Sequence, residues 1–320
     1  LWQQRQRAAQ LLSVAARHPT FPLVLETMRE VLQDVYDVPA LVDLHKLGGV
    51  VTRSLTFGPS KGWATPRSAE TPSGLLTAVG LQNPGALAFV DEDLPRLVKA
   101  GVPVVASVAG ASLGEYVNVA STVHLKPGVV ALEVCVSCPD DERGGEPFYA
   151  RPERLTEIVG AVARLSRVPV FAKLPPLLPG LVETAQACVR AGAFGLTLID
   201  AVPALAVDPQ RLRTRTATPV GGLSGPAIKP VALAAVYQVS RALPDVPVMG
   251  VGGIATGDDA VEFLLAGAWA VQVGTALLVD PSVHVEIAEG IMRYLKEKGF
   301  ASPDELRGRV RVRDAKIGSA

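Results

Sequence analysis

Three glycine clusters in the second half of the chain decide its fold: residues 220–230 read VGGLSGPAIKP, residues 249–254 read MGVGGI and residues 272–276 read QVGTA. Two of them follow short apolar runs directly. Because glycine lacks a Cβ, a phosphate can approach the backbone N–H groups closely, and the N-terminus of a following helix adds a favourable dipole. Three clusters at the ends of late β/α units are typical of a phosphate site at the carboxyl end of a parallel barrel. They predict a phosphorylated cofactor or substrate.

Outward from these clusters, short β-branched runs alternate with longer amphipathic segments. Near-continuous apolar strands between helices indicate a parallel sheet covered by helices. Eight repeats favour a closed TIM (β/α)8 barrel over an open doubly wound sheet. The predicted strands are 22–25, 49–54, 103–108, 129–134, 169–173, 195–199, 246–250 and 270–274, and the predicted helices include 151–166, 181–191, 230–243 and 258–266.

Long segments interrupt this repeat after several strands. Long loops at the carboxyl ends of barrel strands are where such enzymes place their chemistry. The segments are 55–85, 137–150 and 200–220, the last of which we interpret as a hairpin insertion. We expect one barrel domain over residues 1–320, with an added helix in an N-terminal extension at 1–20 and a charged tail at 300–320.

The composition excludes several classes of protein. The 320 residues are 48% hydrophobic and 19% charged, which supports a large core. The 31 basic residues balance 31 acidic ones without a basic stripe, so we expect no nucleic-acid partner. No apolar run reaches the roughly 18 residues of a membrane span, and the N-terminus lacks the apolar segment of a secretion signal. Three cysteines are too few for a disulfide framework, which favours a cytoplasmic setting.

Several short motifs carry a family likeness. They read ETPSG at 70–74, VGLQNPG at 79–85, LE at 132–133, SCP at 137–139, AKL at 172–174 and GLTLI at 195–199. With the glycine clusters, they resemble the class 1 dihydroorotate dehydrogenases, above all the catalytic subunit of the NAD-linked type, from about residue 42 to 281. The resemblance implies a TIM barrel with one FMN above the carboxyl ends of the strands. It also implies oxidation of dihydroorotate in pyrimidine biosynthesis, by proton abstraction at C5 and hydride transfer from C6 to the flavin.

The resemblance also implies roles for individual residues. Cys138 falls at the general base, since a thiol of ordinary pKa about 8.5 can take a proton near neutral pH where the thiolate is favoured. Lys173 falls beside the flavin ring, where a cation stabilises negative charge as the flavin is reduced. The implied cofactor residues are Arg53, Ser54, Lys173, Ile199, Gly222, Ser224, Gly225, Gly252, Gly253, Gly274 and Thr275, and the implied substrate residues are Thr77, Gly80, Leu81, Asn83, Cys135, Asp140 and Asp200. No metal is expected.

The chain departs from the family where the family holds its substrate. Thr77, Cys135, Asp140 and Asp200 stand at positions where the family has asparagines. An amide both donates and accepts, whereas an ionised carboxylate only accepts, and each unmatched buried contact costs about 1–3 kcal/mol. On the cofactor side, residues 25–30 read LETMRE, without the family's glycine turn, and Arg53 replaces a lysine.

We therefore interpret the chain as an FMN-dependent oxidoreductase, with dihydroorotate oxidation as the default reaction. Three alternatives stay open: a paralogue acting on a different ring substrate, a non-catalytic barrel used for binding or assembly, and a non-flavin barrel that binds a sugar phosphate. Cys135 either forms part of the pocket wall or pairs with Cys138, as a redox pair or as half of a metal site. Lys173 either contacts the cofactor or makes a structural ion pair. Trp63 either forms part of the pocket wall or packs its own loop. We expect a homodimer and a separate electron-transfer subunit, because three cysteines cannot hold an iron–sulfur cluster.

Overall fold

The computed structural model describes residues 23–26, 47–140, 146–176 and 180–311, with the backbone alone at 23–26 and 139–140. The predicted N-terminal helix and the segment 27–30 lie outside the described residues, as does the side chain of Asp140.

Strands and helices alternate along the described residues. The strands are β1 Leu23–Glu26, β2 Gly49–Val51, β3 Ser68–Thr71, β4 Gly74–Thr77, β5 Val104–Val108, β6 Val129–Cys135, β7 Pro139–Asp140, β8 Glu146–Pro147, β9 Val170–Leu174, β10 Gly195–Leu198, β11 Val202–Ala204, β12 Val207–Asp208, β13 Arg213–Thr214, β14 Gly221–Ser224, β15 Val248–Val251 and β16 Ala270–Val273. The α-helices are α1 Ala86–Ala88, α2 Leu94–Lys99, α3 Leu113–Val123, α4 Pro152–Leu165, α5 Leu181–Ala191, α6 Lys229–Ala242, α7 Gly257–Ala266, α8 Ala276–Val279 and α9 Val283–Lys298, and a π-helical segment, Phe89–Asp93, joins α1 to α2.

Eight parallel strands close into a barrel in the order β1, β16, β15, β10, β9, β6, β5, β2. The ring closes because β1 pairs with both β16 and β2. The prediction of a (β/α)8 barrel is confirmed, and each predicted strand is present. The second strand is shorter than predicted: the N–H of Thr52 still donates to the carbonyl of Val105, but the next donor to Ser107 is Leu55, so residues 53–54 leave the ladder.

Alternation of side chains along the strands fills the barrel interior in layers. The lower layer is apolar and consists of Val51, Val105, Ala131, Phe171, Met249 and Ala270. Two residues further along their strands, Glu133, Lys173 and Gln272 form a polar layer, which Thr197 of β10 completes. This layer lies toward the carboxyl ends of the strands, where the barrel opens into a cavity.

The helices cover the outside of the barrel. The helix α7 begins at Gly257, one residue before the predicted start, and Thr256 caps it. The Thr256 Oγ1 accepts from the N–H of Asp259 at 3.2 Å, while the Asp259 carboxylate accepts from the N–H of Thr256 at 2.9 Å. This reciprocal capping fixes the first turn of the helix. Cys188 on α5 is fully buried.

A small antiparallel sheet stands over the mouth of the barrel, with the strand order β11, β14, β4, β3. The predicted insertion at 200–220 forms β11 and the hairpin of β12 with β13, while the segment 55–85 contains the hairpin of β3 with β4. The pairing of β14 with β4 sets Gly222 opposite Thr77 and Ser224 opposite Leu75. None of the helices in the described part of the chain is long and apolar enough to cross a membrane.

Candidate active site

A cavity of about 530 Å³ opens at the carboxyl ends of the barrel strands, beneath the small sheet. The volume is that of a pocket for a cofactor or other small molecule. Its wall includes these residues predicted from the sequence: Arg53, Ser54, Thr77, Leu81, Lys173, Ile199, Asp200, Ser224, Gly225, Gly252, Gly253, Gly274 and Thr275. Its wall also includes Thr52, Ser107, Gln272 and Val251, which were not predicted.

The glycine clusters meet along one side of this cavity. Gly253 has a φ of +76°, and a Cβ there would stand 2.8 Å from the carbonyl oxygen of Gly225 and 2.9 Å from the backbone nitrogen of Lys229. The loops after β14 and β15 can therefore approach each other only with glycine at this position. Beside them, the hydroxyls of Ser224 and Thr275 hydrogen bond at 2.8 Å and join the loops after β14 and β16.

An ion-pair network next to the glycine-rich loops, outside the cavity, holds these loops in place. The Nζ of Lys229 lies 2.5 Å from Asp259 Oδ1 and 3.0 Å from Glu262 Oε2. The hydrogen bond to Asp259 raises the pKa of Lys229. Burial pushes the pKa of Asp259 upward, but hydrogen bonds from Lys229, Ala255 and Thr256 leave it below its usual value. The network ties the first residue of α6 to the first two turns of α7.

The floor of the cavity is the polar layer of the barrel. Glu133, 1% exposed, accepts hydrogen bonds on Oε2 from Thr197 at 2.8 Å and from Gln272 at 3.1 Å, and its Oε1 lies 3.7 Å from Lys173 Nζ. Lys173 therefore makes the structural ion pair and also lines the cavity. A carboxylate beneath a buried ammonium compensates its charge, so the ammonium can remain charged at the cavity floor.

The first strands supply the opposite wall. The hydroxyls of Ser54 and Ser107 lie 3.0 Å apart, and Thr52 Oγ1 accepts from the N–H of Ser107 at 3.0 Å. Arg53 stands between Thr52 and Ser54 on this wall. The guanidinium adds a second positive charge at the cavity, alongside Lys173.

The implied substrate residues divide into two groups. Thr77, Leu81 and Asp200 line the cavity, whereas Gly80 and Asn83 do not. Asn83 is 3% exposed, and its amide holds its own loop by donating to the carbonyl of Leu81 and accepting from the N–H of Gly85. Gly80 lies under the indole of Trp63, where a Cβ would meet the ring at 2.4 Å. Trp63 thus packs its loop and is not part of the cavity wall.

The thiols lie behind the wall. Cys135 and Cys138 are 7% and 3% exposed, and neither lines the cavity, nor does Gly222. Cys135 Sγ lies 3.9 Å from Oδ2 of Asp200, and the hydroxyl of Tyr116 donates to the Cys135 carbonyl at 2.5 Å. Among the described residues, no group of His, Cys, Asp and Glu side chains could hold a metal ion.

Sequence reasoning missed Gln272 and the role of Glu133. Both are single polar residues within buried strands that are otherwise apolar, and that pattern is the signal that could have revealed them. A buried strand tolerates such a side chain when a partner satisfies it, and here each is the other's partner. Gln272 Oε1 is buried without a hydrogen-bond partner in the described residues and borders the cavity.

A closed parallel barrel with a glycine-lined cavity at the carboxyl ends of its strands defines the class as a (β/α)8-barrel protein with its site where barrel enzymes place theirs. Comparison with known proteins identifies the family. The family model for dihydroorotate dehydrogenase matches residues 31–295. The dihydroorotate dehydrogenase B (NAD(+)) catalytic subunit of Geotalea uraniireducens is 47% identical over 267 residues, which cover 83% of this chain and 87% of that protein. Subunits of the same name from Pelobacter propionicus and Geobacillus sp. are 45% and 43% identical, covering 83% of this chain and 88% and 85% of those proteins.

The chain belongs to the dihydroorotate dehydrogenase family and is therefore an oxidoreductase. The family match begins at residue 31, after the segment 25–30 that lacks the glycine turn. A second family model, described as DEAD/H associated, matches residues 1–47.

Proposed function

We propose that the chain oxidises dihydroorotate to orotate with FMN as its cofactor. The observation that carries this proposal is the cavity itself, which the three glycine clusters line on one side, Lys173 at the floor and Arg53 on the opposite wall. The relatives named as dihydroorotate dehydrogenase B catalytic subunits support the choice of reaction.

The cavity residues fit a flavin mononucleotide. The loops of Gly225 and Gly253 approach so closely that neither has room for a side chain, and the backbone N–H groups of such glycine loops are where a phosphate can bind. Ser224 and Thr275 would add hydroxyls to the same phosphate side. The buried Gln272 Oε1 at the cavity floor accepts no hydrogen bond from a described residue, so it can accept one from a ring N–H.

When bound, FMN would supply the acceptor for the hydride, which carries both electrons of the oxidation. Lys173 holds its ammonium at the cavity floor, where it stabilises negative charge that develops above it. Glu133 keeps that ammonium in place through the 3.7 Å contact of Oε1 with Nζ. Arg53 adds charge at the opposite wall and can bind an anionic group of the substrate.

We propose Cys138 as the base that takes the proton from C5 of dihydroorotate onto its Sγ. In support, the hydrogen bond from Cys135 lowers the pKa of the Cys138 thiol below its usual value although burial opposes this. A thiolate is therefore favoured at Cys138 over Cys135, whose pKa is raised. Because Cys138 is 3% exposed, a substrate must reach it past Cys135 and Asp200.

The carboxylate of Asp200 on the cavity wall favours a second candidate, oxidation of a related ring substrate without a carboxylate. Two carboxylates about 4 Å apart repel by roughly 4 kcal/mol at an effective dielectric constant of 20. A neutral dihydropyrimidine would instead offer ring N–H groups, from which the Asp200 carboxylate can accept hydrogen bonds.

The absorbance spectrum of the purified protein tests both candidates. We expect flavin absorbance near one equivalent, bleached without oxygen by dihydroorotate. Bleaching by dihydrouracil but not by dihydroorotate would instead support the second candidate. A colourless protein that takes up no added FMN would contradict both. Cys138→Ser should retain the colour and slow bleaching by at least about 100-fold, the usual contribution of a general base.

We further propose a cytoplasmic homodimer that passes electrons to a separate subunit. The relatives are called catalytic subunits, which supports a partner, and three cysteines in the whole chain are too few for an iron–sulfur cluster of four thiolates. Light scattering measures the molar mass and so tests whether the chain is a dimer. The need for a separate subunit is supported if the chain oxidises dihydroorotate with an artificial acceptor but not with NAD alone. Rapid reduction of NAD by this chain alone would contradict that need.

A further inference from the structure

One backbone oxygen beside Cys138 accepts two hydrogen bonds. The carbonyl oxygen of Cys135 accepts from the hydroxyl of Tyr116 at 2.5 Å and from the Sγ of Cys138 at 3.7 Å. A carbonyl oxygen has two lone pairs, so it can serve both donors at once. Burial is the main cause that raises the pKa of Tyr116 well above its usual value, so the hydroxyl keeps its proton at any pH at which Cys138 would exchange one with a substrate.

Packing holds the Tyr116 ring in place. Tyr116 lies on α3 and is fully buried, and its ring meets the ring of Phe148 edge to face, with 5.4 Å between the centroids and 90° between the planes. Edge-to-face pairs are favoured by the quadrupoles of the rings. Phe148 is 1% exposed, and the guanidinium of Arg154 lies 5.8 Å from the centre of its ring. The hydroxyl is therefore directed at the end of β6 by a fixed aromatic pair.

The backbone that carries both cysteines is tied to the same aromatic pair. The N–H of Phe148 donates to the carbonyl of Cys138 at 3.1 Å, and the N–H of Tyr149 donates to the carbonyl of Val136 at 3.2 Å. Cys135 is the last residue of β6 and pairs with Lys173 of β9. The distances from the Cys135 carbonyl to its two donors are thus set by the barrel and by the segment that follows β8.

Only one of the two donors to this carbonyl is permanent. When Cys138 is a thiolate it no longer donates, and the negative end of the carbonyl then faces a negative sulfur. We propose that Tyr116 is a positioning residue for Cys138, whose hydroxyl keeps the Cys135 carbonyl hydrogen-bonded and offsets its negative end while the sulfur is ionised. When Sγ takes the proton from C5 of the substrate, the S–H bond forms as the C5–H bond breaks, and the new S–H donates to the same carbonyl. This inference rests on the proposed role of Cys138 as the base.

The substitution Tyr116→Phe isolates the hydroxyl from every charge around it. The charged and titratable side chains described on the neighbouring elements are Glu115 on α3, Glu133 and Cys135 on β6, Glu146 on β8, Lys173 on β9, Asp200 after β10 and Arg154 on α4. Tyr116→Phe changes none of them and keeps the ring that packs on Phe148.

The test is the ultraviolet absorbance of thiolate as a function of pH, without substrate or flavin. Each protein is compared with the same protein carrying Cys138→Ala, so the difference reports Cys138; burial raises the pKa of Cys188 to about 12, which keeps that thiol protonated. We expect Tyr116→Phe to raise the Cys138 midpoint by about one pH unit, because ionisation then leaves a buried carbonyl without a donor. Tyr237→Phe on α6, which removes a hydroxyl that does not line the cavity, should leave the midpoint unchanged.

The rate at which dihydroorotate bleaches the flavin without oxygen connects the midpoint to the reaction. Tyr116→Phe should slow bleaching about tenfold at a pH below both midpoints and approach the rate of the unchanged protein above them. An unchanged midpoint would overturn the proposal, as would a rate loss that is equal at every pH, since that loss would reflect a structural role alone. Tyr116→Met repeats the titration if Tyr116→Phe does not fold. Because the titration needs no turnover, its outcome is distinct from that of Cys138→Ser, in which unaltered bleaching would contradict Cys138 as the base.

Discussion

Replacing Gly253 with alanine should weaken flavin binding, because the loops after β14 and β15 leave no room for a side chain. An alanine at φ +76° costs about 1–2 kcal/mol in backbone strain. Its Cβ would also stand 2.8 Å from the Gly225 carbonyl oxygen and 2.9 Å from the nitrogen of Lys229. Both atoms belong to the backbone, so relief requires a loop shift, and such overpacking costs about 1–3 kcal/mol more.

The strain and overpacking of Gly253→Ala together cost about 2–5 kcal/mol. Part of this cost lowers the free energy of unfolding, and the rest lowers the affinity for the cofactor. A share of 1.4 kcal/mol in the phosphate contacts corresponds to a tenfold change in Kd, so we expect the Kd for FMN to rise at least tenfold. Titration of the apoprotein with FMN, followed by quenching of flavin fluorescence, measures this.

Gly299 provides a matched control for the same substitution. Its φ is +73°, it caps α9 away from the cavity, and no atom lies within 4 Å of a Cβ built there. Gly299→Ala should therefore lower the free energy of unfolding by about 1–2 kcal/mol and leave the Kd for FMN unchanged. The reasoning is refuted if Gly253→Ala binds FMN like the unchanged protein, or if Gly299→Ala weakens FMN binding equally.

Three further predictions concern the buried and paired charges. Glu133→Ala should lower the free energy of unfolding in urea by about 3–5 kcal/mol because it removes the carboxylate beside the buried Lys173, whereas a loss below 1 kcal/mol would contradict the described pairing. Lys229→Met should lower the free energy of unfolding by about 1–2 kcal/mol. The difference from the unchanged protein should stay constant between about pH 5 and 9. It should shrink as the pH falls through the lowered pKa of Asp259 or rises through the raised pKa of Lys229. Burial raises the pKa of Cys188 to about 12, so alkylation at pH 8 under native conditions, read by mass spectrometry, should spare Cys188 until urea unfolds the chain.

The barrel could be predicted from the sequence because its signals are local. The barrel strands are short, mostly apolar runs, and a polar residue such as Thr256 caps the start of the helix that follows it. The glycine clusters were predicted to converge because the carboxyl ends of parallel strands share one edge. Gly225, Gly253 and Gly274 meet at the cavity for that reason.

The sequence could not predict which loop residues line the cavity and which hold their own loop in place, because this depends on contacts between distant segments. Asn83 looks like a substrate ligand in its motif, but its amide is already used by Thr56, Leu81 and Gly85. The Glu133–Gln272 hydrogen bond joins residues 139 positions apart, and nothing in either local sequence names the other as its partner.

The arrangement of the cavity explains how one part of the site can match the family while another departs from it. The proposed phosphate side comes from the strands β14 to β16 and is fixed by backbone conformation at Gly225 and Gly253. The proposed reacting side comes from β6 and β10, where Cys135 and Asp200 contact each other. These two sides meet through the buried hydrogen bond of Glu133 with Gln272, and neither of those residues is among the family amides that this chain has replaced. A change at Cys135 or Asp200 therefore alters charge and hydrogen bonding over the reacting side without moving the backbone that would hold the phosphate.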